Sequence, residues 1–184
     1  MTGSSATIQR THANESQSAT YFRFANNATG TLQGNGKLTY TNLTGVANLD
    51  VCALTNAGTV APGAPTGTLE LVNATVPFGS GSKLAVQIGG TNSGTYSALK
   101  LTRTGTVGGT VDLTSAGDTL QVTTLPTFRK DVSNTWAVVT AISRTGTFDT
   151  VILPDTDHWQ VSYTATSVLL TYRAYPKGAT FLVR

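Results

Sequence analysis

A single cysteine, Cys52, stands among 184 residues, so no internal disulfide can form and no thiolate cluster can hold a metal. Charge is equally scarce: Asp, Glu, Lys and Arg make up 11% of the chain, against roughly 25% in an average soluble domain. The twelve basic residues are scattered from Arg10 to Arg184, and Arg129-Lys130 is their one adjacent pair. With a net charge of +3, that distribution is too thin for a nucleic-acid footprint, which needs a basic stripe with aromatic platforms between its charges. No apolar run approaches the roughly 20 residues of a membrane span, so membrane insertion is not expected either. Residues 1–18 lack the hydrophobic core of a secretion signal, and a native reading frame beginning here is expected to start in the cytoplasm. That expectation lapses if the chain is a piece of a longer one. A bridge-free fold leaves the compartment open.

Thr, Ser, Asn and Gly fill the places where Lys and Glu usually stand, and a surface of hydroxyls and amides suits strands rather than helices. From Tyr21 onward apolar residues alternate with small polar ones at period two. Leu84, Val86 and Ile88 share one face, and Leu99 with Leu101, Val111 with Leu113, and Leu120 with Val122 repeat the pattern. Trp159, Val161 and Tyr163 do the same before the turn Thr164-Ala165-Thr166, after which a strand from Ser167 to Tyr172 closes a hairpin. Between the runs lie breaks such as Gly34-Asn35-Gly36, Pro62-Gly63-Ala64-Pro65, Gly79-Ser80-Gly81, Gly89-Gly90 and Gly108-Gly109. Short strands with such punctuation predict a sandwich, a barrel or a β-solenoid. A chain of this length buries roughly 70% of its unfolded surface and needs no staple.

Gly-Thr followed by a large apolar residue recurs at Gly30-Thr31-Leu32, Gly58-Thr59-Val60, Gly67-Thr68-Leu69, Gly105-Thr106-Val107, Gly109-Thr110-Val111 and Gly146-Thr147-Phe148. Either such pairs recur by chance in so Thr-rich a chain, or they mark degenerate solenoid coils, with Gly at the turn and the apolar residue inside.

A resemblance bears on this choice. In order, the chain carries Asn56-Ala57-Gly58-Thr59-Val60-Ala61-Pro62-Gly63, Gly67-Thr68-Leu69 and Gly81-Ser82-Lys83-Leu84-Ala85-Val86-Gln87-Ile88-Gly89-Gly90. Gly109-Thr110-Val111, Gly117-Asp118-Thr119-Leu120, Gly146-Thr147-Phe148 and Trp159-Gln160-Val161-Ser162-Tyr163-Thr164-Ala165-Thr166-Ser167-Val168 follow. The stretch 54–172 resembles the C-terminal end of bacterial autotransporter-type β-helical passengers and related repeat-bearing surface proteins. That resemblance implies an all-β fold: short, right-handed β-helix (β-solenoid) coils closed by a β-sandwich-like C-terminal cap, a part used for scaffolding. The chain departs from the family at both ends, with little room for a long solenoid before residue 54 and an extension over 173–184. Residues 1–18, with Ile8 as their one large aliphatic residue, are expected to be a flexible arm. Residues 19–172 are then the single β domain and 173–184 a tail.

Chemistry has few carriers. His12 lies in the arm, and Asp155-Thr156-Asp157-His158 lacks the further oxygens and the fixed Gly of a calcium loop, which favours a solvated turn over a metal site. No nucleophile motif is present, Cys52 reads as a buried structural thiol, and Glu70, Asp112, Asp118, Asp131 and Asp149 are isolated along the sequence. Asn14, Asn27, Asn42 and Asn73 open Asn-x-Ser/Thr triplets, a composition effect in a chain this rich in Asn and Thr. No enzyme activity and no cofactor are expected.

The leading expectation is therefore a structural protein of a virion exterior, such as a phage capsid decoration or cement protein. The alternative is the cap module of a secreted or cell-surface bacterial adhesin or passenger, and a carbohydrate-active β-helix enzyme comes last. A homo-oligomer, a trimer, is expected, because an open first coil near Tyr21 to Leu32 needs cover. Contacts to a larger lattice such as a capsid shell are assigned to the two end segments, with Ile8, Arg10, Tyr175, Phe181 and Arg184 as partner-binding residues. Glycan contact stays open, and Tyr21, Phe22, Phe24, Tyr96 and Tyr175 are the aromatics whose exposure bears on it. Because Cys52 has no partner within the chain, the melting midpoint is expected to be the same with and without dithiothreitol. A loss of many degrees on reduction, measured by thermal unfolding, would contradict this.

Overall fold

The computed structural model describes residues 6–10, 23–42, 52–63, 65–106 and 108–174. Their strands come in triplets. The first is β1 (Ala6–Arg10), β2 (Arg23–Asn26) and β3 (Thr31–Gly34), and the second β4 (Gly36–Asn42), β5 (Cys52–Asn56) and β6 (Thr59–Pro62). Then follow β7 (Gly67–Val72), β8 (Ala74–Pro77) and β9 (Lys83–Ile88), and after them β10 (Ser97–Thr102), β11 (Thr110–Leu113) and β12 (Thr119–Thr124). The last triplet is β13 (Asn134–Thr140), β14 (Ser143–Gly146) and β15 (Thr150–Ile152). The first, second and third members of the triplets line up in three separate sheets, so each triplet is one lap of a three-sided β-solenoid. Neighbouring laps pair in parallel on every side.

Two further strands leave the pattern. β16 (Trp159–Tyr163) and β17 (Ser167–Tyr172) form an antiparallel hairpin, and β17 lies antiparallel against β13, which extends the first sheet to seven strands. The fold is thus the all-β, β-solenoid architecture expected from the sequence, with this hairpin as its C-terminal closure.

Parallel pairing places like on like. On the first side Leu69, Leu99, Val139 and Val168 form one column and Leu38, Leu71 and Leu101 another. Val76 stacks on Val111 on the second side, and Val60, Leu84 and Leu120 stack on the third. Nearly all these side chains are buried, and each aliphatic taken from water contributes roughly 1.5–3 kcal/mol. Alternate residues point outward, where Thr68, Lys100, Thr110 and Gln121 keep the wall polar.

The corners depend on small and amide residues. Asn26 and Asn56, both buried, stack one lap apart where the second side ends, and Asn26 Nδ2 donates to Asn56 Oδ1 at 2.7 Å and to the Thr59 carbonyl at 2.9 Å. Beside this ladder a Cβ on Gly58 would stand 2.3 Å from the Asn27 carbonyl oxygen and 2.4 Å from that of Gly30, so only glycine lets the laps approach here.

Aromatic residues seal the hairpin end. Trp159 stacks on Trp136 at 5.6 Å between centroids, Tyr172 lies 4.9 Å from Trp159, and Phe128 meets Tyr172 edge-on at 5.0 Å. The Tyr172 hydroxyl donates to the Lys130 carbonyl at 3.1 Å, tying the seal to the loop before β13. Trp159→Ala is expected to cost about 3–5 kcal/mol in chemical denaturation. A loss below about 1 kcal/mol would show that the indole does not hold the closure.

Candidate functional site

Three groupings of polar side chains bear on chemistry. The first is a cleft of about 230 Å³ between two loops that leave the same corner of successive laps, residues 89–96 after β9 and residues 125–133 after β12. Gly90, Thr91, Asn92 and Thr95 line one wall; Thr127, Phe128, Arg129 and Val132 line the other, with Trp136 behind. Both walls are held from within. The Trp136 indole N–H donates to the Gly90 carbonyl at 2.8 Å, Thr95 Oγ1 donates to the Asn92 carbonyl at 2.6 Å, and the Gly89 N–H donates to the Thr95 carbonyl at 2.8 Å. Opposite them the Phe128 N–H donates to Leu125, and Arg129 makes a two-point ion pair with Asp131 at 3.1 and 2.7 Å.

The second is an acidic corner. Asp118 is fully buried; its Oδ1 accepts the Asp149 N–H at 2.7 Å, while its Oδ2 has no hydrogen-bond partner. Asp149 Oδ2 in turn accepts the Gly117 N–H at 2.9 Å, and Asp112 Oδ1 accepts Thr145 Oγ1 and the Thr114 N–H. Three of the carboxylates that looked isolated in sequence are therefore brought to one corner, where Asp118 and Asp149 accept backbone N–H groups across neighbouring laps and Asp112 accepts a threonine hydroxyl of the next lap. Burial raises the Asp118 pKa above its ordinary 3.8, against the Asp149 N–H bond and with help from the Asp149 and Asp112 charges. At Asp112 burial also pushes upward, but the bonds from Thr114 and Thr145 outweigh it and the pKa falls.

The third is the turn at Asp155. Asp155 Oδ1 accepts the His158 N–H at 2.8 Å and lies 3.0 Å from His158 Nδ1, so the pair forms a local turn in front of Trp159. Among the described residues, no three of His, Cys, Asp and Glu are placed to hold a metal ion together.

Of the partner-binding residues nominated from sequence, Ile8 and Arg10 lie on β1, whose backbone pairs with β4 opposite Tyr40 and Asn42. Tyr175, Phe181 and Arg184 fall outside the described residues, as do Tyr21, Phe22 and His12. Tyr96 is half-buried against the core. Asn73 is buried, with a left-handed φ of 61° and a bond from its Nδ2 to Thr104, which closes it as a glycosylation acceptor. The cleft was missed in the sequence because its two walls are more than thirty residues apart. The signal that remained was a Gly-Gly break and a Pro-bearing break, each followed by polar residues. At the C-terminal end, Val151 is 38% and Ile152 46% exposed on β15, the outermost strand of the third side.

Together these features define a three-sided β-solenoid scaffold with a sealed hairpin end and a loop-built cleft. The sequence matches no protein-family model and no curated protein.

Asp118 yields a signed pH prediction. With its pKa raised on folding, the native state holds this proton more tightly than the unfolded chain does. Its contribution therefore turns unfavourable as pH rises from the ordinary carboxylate range through the raised value. Asp118→Asn keeps the Oδ1 acceptor and removes the charge. The midpoint of the variant minus that of the parent, from thermal scans between about pH 3 and 7, is expected to increase with pH. A difference that is flat or falls with pH would refute the assignment.

Proposed function

We propose that the chain is a non-enzymatic structural protein that decorates the exterior of a bacteriophage capsid as a homotrimer. The observation that carries this reading is the bare end of the third side. β15 is a three-residue edge strand, Thr-Val-Ile, too short to template extended strand pairing, but it leaves Val151 and Ile152 partly exposed with no charge between them, an apolar surface that a neighbouring copy can cover. Its occupant in this reading is a second copy of the chain, which supplies the cover around a shared axis. The polar wall is compatible with a dense particle surface, and contact with the shell falls to the end segments 1–18, of which residues 6–10 are engaged as the edge strand β1, and 173–184.

A second reading, as the C-terminal cap module of a secreted bacterial β-helical adhesin or passenger, draws on the order of the fold. Parallel laps are followed by an antiparallel hairpin with Trp159 inside, the arrangement implied by the family resemblance. A carbohydrate-active enzyme has less support, because Asp112, Asp118 and Asp149 are spent on backbone and threonine hydrogen bonds.

Light scattering tests the assembly. The intact chain is expected to run as a trimer and Ile152→Lys, which charges the β15 edge, as a monomer; an intact chain that is monomeric at micromolar concentration overturns the oligomer. Immunoblotting of gradient-purified particles and of washed host cells tests the location. Signal on cells and not on particles transfers the assignment to the passenger reading.

A further inference from the structure

We infer that the cleft between the 89–96 and 125–133 loops is a binding site for one neutral pyranose ring, such as the terminal residue of a surface glycan. This goes beyond the scaffold role and stands whether or not the chain decorates a virion. Three observations carry it.

The first is size. At about 230 Å³ the cleft lies below the roughly 300–1,000 Å³ of cofactor and drug sites, which limits the occupant to a single small ring.

The second is the lining. Phe128 and Val132 offer an apolar wall, and the Phe128 ring is fixed by Trp136, Trp159 and Tyr172 behind it. A pyranose carries one face of C–H groups that packs on such a wall, with hydroxyls around its rim. That rim faces the exposed Thr91, Asn92 and Thr127, whose hydroxyl and amide groups can donate and accept, and Thr95, whose hydroxyl already donates to the Asn92 carbonyl and is left as an acceptor. Arg129, at the lip, is held by an exposed two-point pair with Asp131 that offsets its charge locally and occupies its donors on that side, which favours a neutral sugar over an acidic one.

The third is preorganisation. The bonds of Trp136 to Gly90, of Thr95 to Asn92 and of Tyr172 to Lys130 fix the loops before any ligand arrives, which lowers the entropy lost on binding. Gly89 sits where the two loops meet, and a Cβ there would stand 3.1 Å from the Thr95 carbonyl oxygen and 2.8 Å from Thr127 Oγ1.

The experiment is an amide and indole N–H NMR titration of the intact, isotopically labelled chain. The probes are methyl β-D-glucopyranoside, methyl β-D-galactopyranoside and methyl N-acetyl-β-D-glucosaminide, with a methyl sialoside as the acidic arm, each to about 20 mM. At least one neutral glycoside is expected to give saturable shifts confined to residues 89–96, 125–133 and the Trp136 indole, with Kd on the order of millimolar. Asn92→Ala is the variant of choice because the side chain is exposed and its loss should leave the melting midpoint in place. It is expected to weaken that glycoside about fivefold. The inference is overturned by no saturable shift with any neutral glycoside, by shifts centred elsewhere, by binding of the sialoside alone, or by an Asn92→Ala affinity equal to that of the parent.

Discussion

Every part of this molecule depends on the in-register parallel stacking of one lap on the next. A single lap of three short strands has no core of its own; its Leu and Val side chains point toward an axis that one layer cannot dehydrate. Stacking closes that axis from above and below, so Leu84 is enclosed by Val60 and Leu120 as much as by the other two sides of its own lap. Burial and backbone pairing are then one cooperative event, because a register slip of one residue would turn the aliphatic column outward.

The corners translate this constraint into residue identity. Three sides around a narrow axis require tight turns whose backbones nearly touch those of adjacent laps. Gly58 meets the steric part, and the Asn26–Asn56 ladder satisfies polar groups that the turn would otherwise bury unpaired. The same logic explains Asp118 and Asp149, whose carboxylates accept backbone N–H groups of a corner; Asp149 does so from the exposed side, whereas Asp118 is buried there. Where a corner can widen, as after β9 and β12, the chain is free to build loops outside the stack, and the cleft arises there.

Stacking also makes the two ends the exceptional parts of the fold. On the first side the hairpin reverses the strand direction and brings Trp159 against Trp136, ending the parallel series with aromatic cover. On the second side Val111 is followed by Arg144, whose guanidinium sits over the Tyr163 ring at 5.1 Å instead of continuing an aliphatic column. The third side receives no such ending, and Val151 stands partly in water above Leu120. An otherwise self-contained scaffold is therefore asymmetric in where it offers apolar surface.

By itself the sequence determined the local character of this protein. Period-two alternation in 83–88 and 119–124, Gly-Thr turns and the hairpin ending at Tyr172 follow from interactions between residues a few positions apart, and the strands appear where that pattern places them. Which strands would be neighbours was not written locally, because laps differ in length: Cys52 lies beside Ala74, while Leu99 lies beside Val139. Only the stacked structure decided that Asn26 would meet Asn56, that scattered aspartates would share a corner, and that Gly90 would face Phe128 across a cleft. Such sites join residues roughly one lap apart, and a lap closes only when burial of the common axis offsets the entropy of closing its loops.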